Sequence, residues 1–235
     1  MPAGADRRTT LLGRSTLGRP IPLIEAGDPA GIPVLVVGSV HGNEPGGIPV
    51  AQLLARQAPA GVHLWIIPVL NPDGRARNAR GNARGVDLNR NFPYRWRALD
   101  GVYESGARPL SEVEARLVHR LILRVHPAVS IWFHQHLDLV WASGGDPRVA
   151  RSFARVARLR YRRLPSLPGS AVDWQNHAQR GTTALAVELP AGVPSQAARV
   201  RYVRAVAAAA RASRRTPSPR RTSPPAPSSA RRWRP

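Results

Sequence analysis

The 235-residue sequence contains no cysteine, no lysine and a single methionine. Without cysteine there is no disulfide, no thiolate zinc site and no cysteine nucleophile, so any bound metal must rest on His, Asp or Glu. All 35 basic residues are therefore arginine, set against 14 acids, for a formal charge of +21. Eight of these arginines lie from Arg211 onward in a stretch without an acid, and the rest of the chain is still basic. Such a field draws anionic partners, whether carboxylate substrates, anionic polymers or nucleic acid, and by itself selects no function. Also absent is the run of about 20 apolar residues that a membrane span needs. Near the start, Arg7 and Arg8 precede only Thr9-Thr10-Leu11-Leu12, well short of the roughly 7–15-residue apolar stretch of a secretory signal. A soluble cytoplasmic protein with no membrane contact is the expectation.

With 43% hydrophobic residues, the chain can bury one substantial core but not two large ones. The segments 34–40, 62–70, 128–134 and 183–189 are short, β-branched and almost continuously apolar, as expected of strands covered on both faces. Between them lie helix candidates over 46–57, 111–126, 147–160 and 195–212. The second opens with Ser111 as N-cap and Glu114 three residues on, the pattern of a capping box. Strands alternating with helices predict a layered α/β/α fold. The expected domain covers 1–212, followed at 213–235 by a disordered basic tail too dense in Pro, Ser and Arg to bury a core. Such a tail is suited to weak contact with a polyanion.

The polar motifs follow the strands. His41-Gly42-Asn43-Glu44 comes directly after the first strand, where open α/β sheets place their ligand sites. An imidazole and a carboxylate three residues apart can face one cation, and Gly42 lets the backbone turn closely. Alone, the motif reads more readily as a turn with two solvated side chains. Asn71-Pro72-Asp73-Gly74 after the second strand is an ordinary turn signal. Residues 71–109 are loop-like, and within them Asp87-Leu88-Asn89-Arg90-Asn91-Phe92-Pro93 is a dense polar cluster without helical or strand period. No structural role is evident for it in the sequence. His134 ends the third strand, and His136, two residues on, would point the same way on an extended segment. Glu188 is an acid in an apolar strand, costly to bury without a purpose.

Taken in this order, HGNE, NPDG, GVDLNRNFP, the His134 strand and the late Val187-Glu188-Leu189-Pro190 resemble the zinc carboxypeptidases of the carboxypeptidase A type, in particular their compact bacterial murein peptide amidase branch. The resemblance covers roughly residues 13–190. It implies a central mixed, mostly parallel twisted sheet and one zinc ion per chain. The ligands it implies are His41, Glu44 and a histidine at the end of the third strand, for which His134 fits better than His136. Three protein ligands would leave the metal a position for water. Glu188 matches the family's general acid/base, and Arg80 matches the donor to the oxyanion, although Arg75, Arg77 and Arg84 crowd the same loop. Asn89 and Arg90 match the pair that holds the substrate's carboxylate, for which a planar guanidinium is suited. Asp87 would accept a hydrogen bond from the second ring nitrogen of His41.

One departure stands out. The larger carboxypeptidases carry a mobile tyrosine ahead of a Gly-Ser-x-Asp-Trp-like segment, whereas here the run from Arg163 to Trp174 contains none. Tyr161 is nearby but poorly aligned, so no tyrosine role is assigned. The short chain suggests trimmed loops and a small peptide substrate. The expected activity is hydrolysis of an amide next to a free carboxylate, in a murein-type peptide at the γ-D-Glu–diaminopimelate bond. An N-acyl amino acid deacylase and a non-catalytic polyanion binder are the alternatives.

Overall fold

A computed structural model describes residues 7–214. Eight strands form one sheet: β1 (Arg8–Arg14), β2 (Pro20–Gly27), β3 (Ile32–Val37), β4 (Val62–Ile67), β5 (Val129–Gln135), β6 (Leu139–Ala142), β7 (Arg160–Arg163) and β8 (Thr183–Leu189). Their spatial order is β1-β2-β4-β3-β5-β8-β6-β7. The central neighbours β4, β3, β5 and β8 pair in parallel, and they are the four apolar runs of the sequence. Antiparallel pairing joins β1 to β2, β2 to β4 and β6 to β8. The two edge strands escape a hydrophobicity reading because they are polar or exposed: β1 is largely exposed and β7 reads Arg-Tyr-Arg-Arg.

Among the described residues there are six α-helices: α1 (Gly47–Arg56), α2 (Pro72–Ala76), α3 (Val113–Val125), α4 (Pro147–Ala157), α5 (Ala171–Ala178) and α6 (Gln196–Ser213). Alternation along the strands divides the core in two. Val34, Val36, Ile131, Phe133, Leu185 and Val187 pack with α1, α4 and α6. Leu35, Val37, Trp132 and Ala184 pack with α3 and α5 on the opposite face. The result is the three-layer α/β/α arrangement, with a mixed sheet in the middle. By the same alternation, His134 and Glu188 fall on the α3/α5 face at the carboxyl ends of their strands.

Two expectations are corrected here. Helix α3 begins at Val113, not after Ser111, and its N-cap Glu112 makes no side-chain cap. Ser111 instead donates to Glu112 Oε1 and accepts from Asn91 Nδ2, so its hydroxyl is used to pin a loop. The polar cluster 87–93 also has a structural part. Asn91 is fully buried, donates to the carbonyls of Ser105 and Arg108, and accepts from the N–H of Glu112. Phe92 is buried among Trp132 and Trp174. Together they anchor the long loop between β4 and α3. From position 215 on, the arginine-rich tail and its expected polyanion contact lie outside the described residues. Among the described residues, no helix is long and apolar enough to cross a membrane.

Candidate active site

The turn after β3 brings the first two polar groups together. Glu44 N–H donates to the carbonyl of His41, so both side chains leave one tight turn on the same side. Gly42 is required by close approach: a Cβ there would lie 2.0 Å from the backbone carbon of Gly74, so the HGNE turn rests directly on the NPDG turn. The latter is held by Asn71, which caps α2 by accepting from Gly74 N–H at 2.8 Å. Asp73 beside it is buried, and accepts from Ser15 Oγ, Leu17 N–H and Arg19 Nη1 at 2.9, 3.0 and 2.7 Å.

His134, at the end of β5, closes the group. Glu44 Oε2 is 2.9 Å from His41 Nδ1 and 3.0 Å from His134 Nδ1, and the two Nδ1 atoms are 3.3 Å apart. All three residues are buried. Donors held about 2.0–2.2 Å from a tetrahedral zinc sit roughly 3.3 Å or slightly more from one another; the spacings here are at or a few tenths of an ångström below that, close enough together for the three residues to hold a metal ion. The electrostatics agree with the geometry. Burial opposes the charge of Glu44, yet its bonds to His134 and His41 hold its carboxyl far below the usual range. Burial would also lower the pKa of His41, but Asp87 and Glu44 raise it. His136 is exposed and outside the group, though it lines the same cavity.

The loop 71–109 surrounds this group. Asp87 Oδ1 lies 2.8 Å from His41 Nε2 and also accepts from Asn89 N–H. Asp87 Oδ2 accepts from Arg80 Nε at 2.9 Å. Despite complete burial, His41, Arg80 and Arg90 keep Asp87 well below the usual carboxylate range. Arg80 reaches further, donating from Nη1 to Glu44 Oε1 at 3.0 Å. Asn89 accepts from Ala171 N–H through Oδ1, and its Nδ2 faces His134 Nε2 at 3.5 Å. Arg90 is 7% exposed and donates to the carbonyl of Asn89. Arg75, Arg77 and Arg84 do not line the cavity, whereas Arg97, further along the loop, does.

Glu188 stands beside His134 in the parallel register of β5 and β8. Its Oε2 is buried without a hydrogen-bond partner. Burial pushes its carboxyl up, opposed by His134 and reinforced by the charge of Glu44. A cavity of about 590 Å³ connects Glu188 with the His-Glu-His group, Arg80, Asn89 and Arg90.

Two further residues were not evident in the sequence. Gln135 joins the loops of the site: its Oε1 accepts from Gly46 N–H at 2.7 Å, while Nε2 donates to the carbonyls of Pro190 and Gly192 at 2.8 and 2.7 Å. Tyr103 stands at the cavity with its ring against both Arg80 and Arg90. Neither belongs to a motif, and only the folded loops bring them in.

A mixed sheet with a His-Glu-His group at the carboxyl edge of its parallel strands defines an α/β/α protein built to bind a metal. The chain belongs to the zinc carboxypeptidase family, whose model matches residues 6–149. It is 33% identical over 151 residues to murein peptide amidase A of Escherichia coli, an alignment covering 58% of this chain and 61% of that protein. The murein peptide amidase A of Vibrio campbellii is 28% identical over 203 residues, 77% of this chain and 79% of that protein. Among solved structures, a murein-tripeptide amidase from Escherichia coli superposes with a TM-score of 0.70 at 26% identity, covering 89% of this chain and 97% of that one. The carboxypeptidase A of Helicoverpa armigera shares the fold, with a TM-score of 0.74 at 20% identity over 90% of this chain and 69% of that one.

Proposed function

We propose that this chain is a zinc-dependent hydrolase that cuts an amide next to a free carboxylate, with a murein-type peptide ending in diaminopimelate as substrate. His41, Glu44 and His134 are the residues that would hold the ion, one per chain. When bound there, zinc lowers the pKa of water to about 7 and polarises a carbonyl. The rest of the chemistry belongs to side chains. Glu188 accepts a proton as the water oxygen bonds to the carbonyl carbon, then delivers it to the amide nitrogen as the C–N bond breaks. A raised pKa suits a group that must both take and give that proton. Arg80 donates to the carbonyl oxygen as it gains negative charge. Arg90, with Asn89 beside it, receives the free carboxylate of the leaving residue. Asp87 fixes the tautomer of His41 so that Nδ1 faces the ion.

The observation that carries this reading is the unpartnered, buried Oε2 of Glu188 beside a His-Glu-His group in one cavity. The substrate follows from likeness to the murein peptide amidases together with the arginines of the cavity. The test is product analysis with zinc-loaded protein on the murein tripeptide, on unrelated C-terminal dipeptides and on N-acyl amino acids. Release of diaminopimelate from the tripeptide is expected. Cleavage of N-acyl amino acids alone would make the chain a deacylase, and no cleavage of any of the three would overturn the enzyme reading.

A further inference from the structure

Arg80 and Arg90 present two guanidinium groups to one cavity, and one aromatic ring lies against both. The ring centroid of Tyr103 is 5.4 Å from the guanidinium carbon of Arg80 and 5.2 Å from that of Arg90. Both distances lie within the roughly 6 Å over which a cation is attracted to an aromatic face. The two arginines differ in what else holds them. Arg80 is tied to Glu44 and Asp87 by ion pairs. Arg90 is almost wholly buried, yet among the described residues it has no ion pair and donates only to the neutral carbonyl of Asn89. Asp87 and Asp173 act on it through space, while Arg80 repels it. A π face adds a negative potential that both guanidinium groups share and that occupies none of their N–H donors. Tyr103 can do so because it ends the short 3₁₀ turn Gly101–Tyr103, at 48% exposure on the cavity wall.

We propose that Tyr103 is a positioning residue for specificity, whose ring clamps Arg80 and Arg90 at the separation needed to receive a carbonyl oxygen and a free carboxylate of one substrate. The clamp rests on the roles given to these arginines in the proposed function, and it adds a residue to them. It works through the ring and not the hydroxyl, so phenylalanine substitutes for it and leucine does not.

The test measures binding of meso-diaminopimelate to the zinc-loaded protein by calorimetry, for wild type, Tyr103→Phe and Tyr103→Leu, with melting temperatures as a control for folding. Tyr103→Phe is expected to bind within about twofold of wild type, and Tyr103→Leu roughly five- to thirtyfold more weakly, the range for losing one or two cation–π contacts. Rescue by Phe but not by Leu at equal melting temperature is a pattern that a merely structural role would not give. Leucine binding as well as tyrosine, or phenylalanine binding as poorly as leucine, overturns the clamp, as does wild-type protein that binds no diaminopimelate. Cleavage of the murein tripeptide by the same wild-type sample separates the two claims. If it fails while binding follows the ring, the substrate reading falls and the clamp stands.

Discussion

Glu188 and His134 are register partners on adjacent parallel strands. A shared face and a shared strand end bring a carboxylate with an unpartnered oxygen next to an imidazole whose Nδ1 points at Glu44. Removing the charge of Glu188 without changing its shape therefore isolates proton transfer. Glu188→Gln is expected to lower kcat by about 10²–10⁴-fold, with zinc content unchanged. Steady-state kinetics and metal analysis of the same preparation check this, and a variant that keeps full activity would remove Glu188 from the chemistry.

Asp87 is expected to act on the metal through His41. Its Oδ1 lies 2.8 Å from His41 Nε2 and its Oδ2 holds Arg80. Asp87→Asn should weaken zinc affinity by roughly 10–100-fold, the usual effect of losing a carboxylate behind a ligating histidine. Competition with a chelator measures it. Unchanged affinity would show that the His41 tautomer is set elsewhere.

The pH dependence of stability has a source away from the metal group. Burial opposes the ionisation of Asp73, but Leu17 N–H, Arg19 and Ser15 together lower its pKa. The folded carboxyl thus titrates below its unfolded value of about 3.9, so its stabilisation is present above that pH and is lost as pH falls through the folded value. Asp73→Asn is expected to cost about 2 kcal/mol at pH 7, the scale of hydrogen bonds to a charged group. The gap to wild type should narrow below about pH 4. Urea unfolding at pH 7, 5 and 3 tests this, and a gap that is constant with pH would assign the cost to packing.

How far the sequence reveals the molecule differs by element. β3, β4, β5 and β8 are legible because both of their faces are covered and the runs are apolar throughout. The edge strands β1 and β7 are not, since an exposed, polar edge carries no such signal, and β6, though apolar, is only four residues long. His41 and Glu44 sit on one turn and are readable by spacing, whereas His134 and His136 share a side on any extended strand, and only the fold brings His134 to within 3.0 Å of Glu44. Asn91 reads as part of a functional cluster but serves the loop. Tyr103 and Gln135 carry no pattern at all: the partners of Gln135 come from loops far apart in the chain, and Tyr103 meets Arg80 and Arg90 only through the way their shared loop folds.

The most direct measurement is anomalous diffraction at the zinc edge from crystals grown with the metal. One peak per chain is expected, bounded by Nδ1 of His41, Nδ1 of His134 and the carboxylate of Glu44, with Glu188 facing it across the cavity. No peak at that position, or a peak ligated by His136 in place of His134, would contradict it.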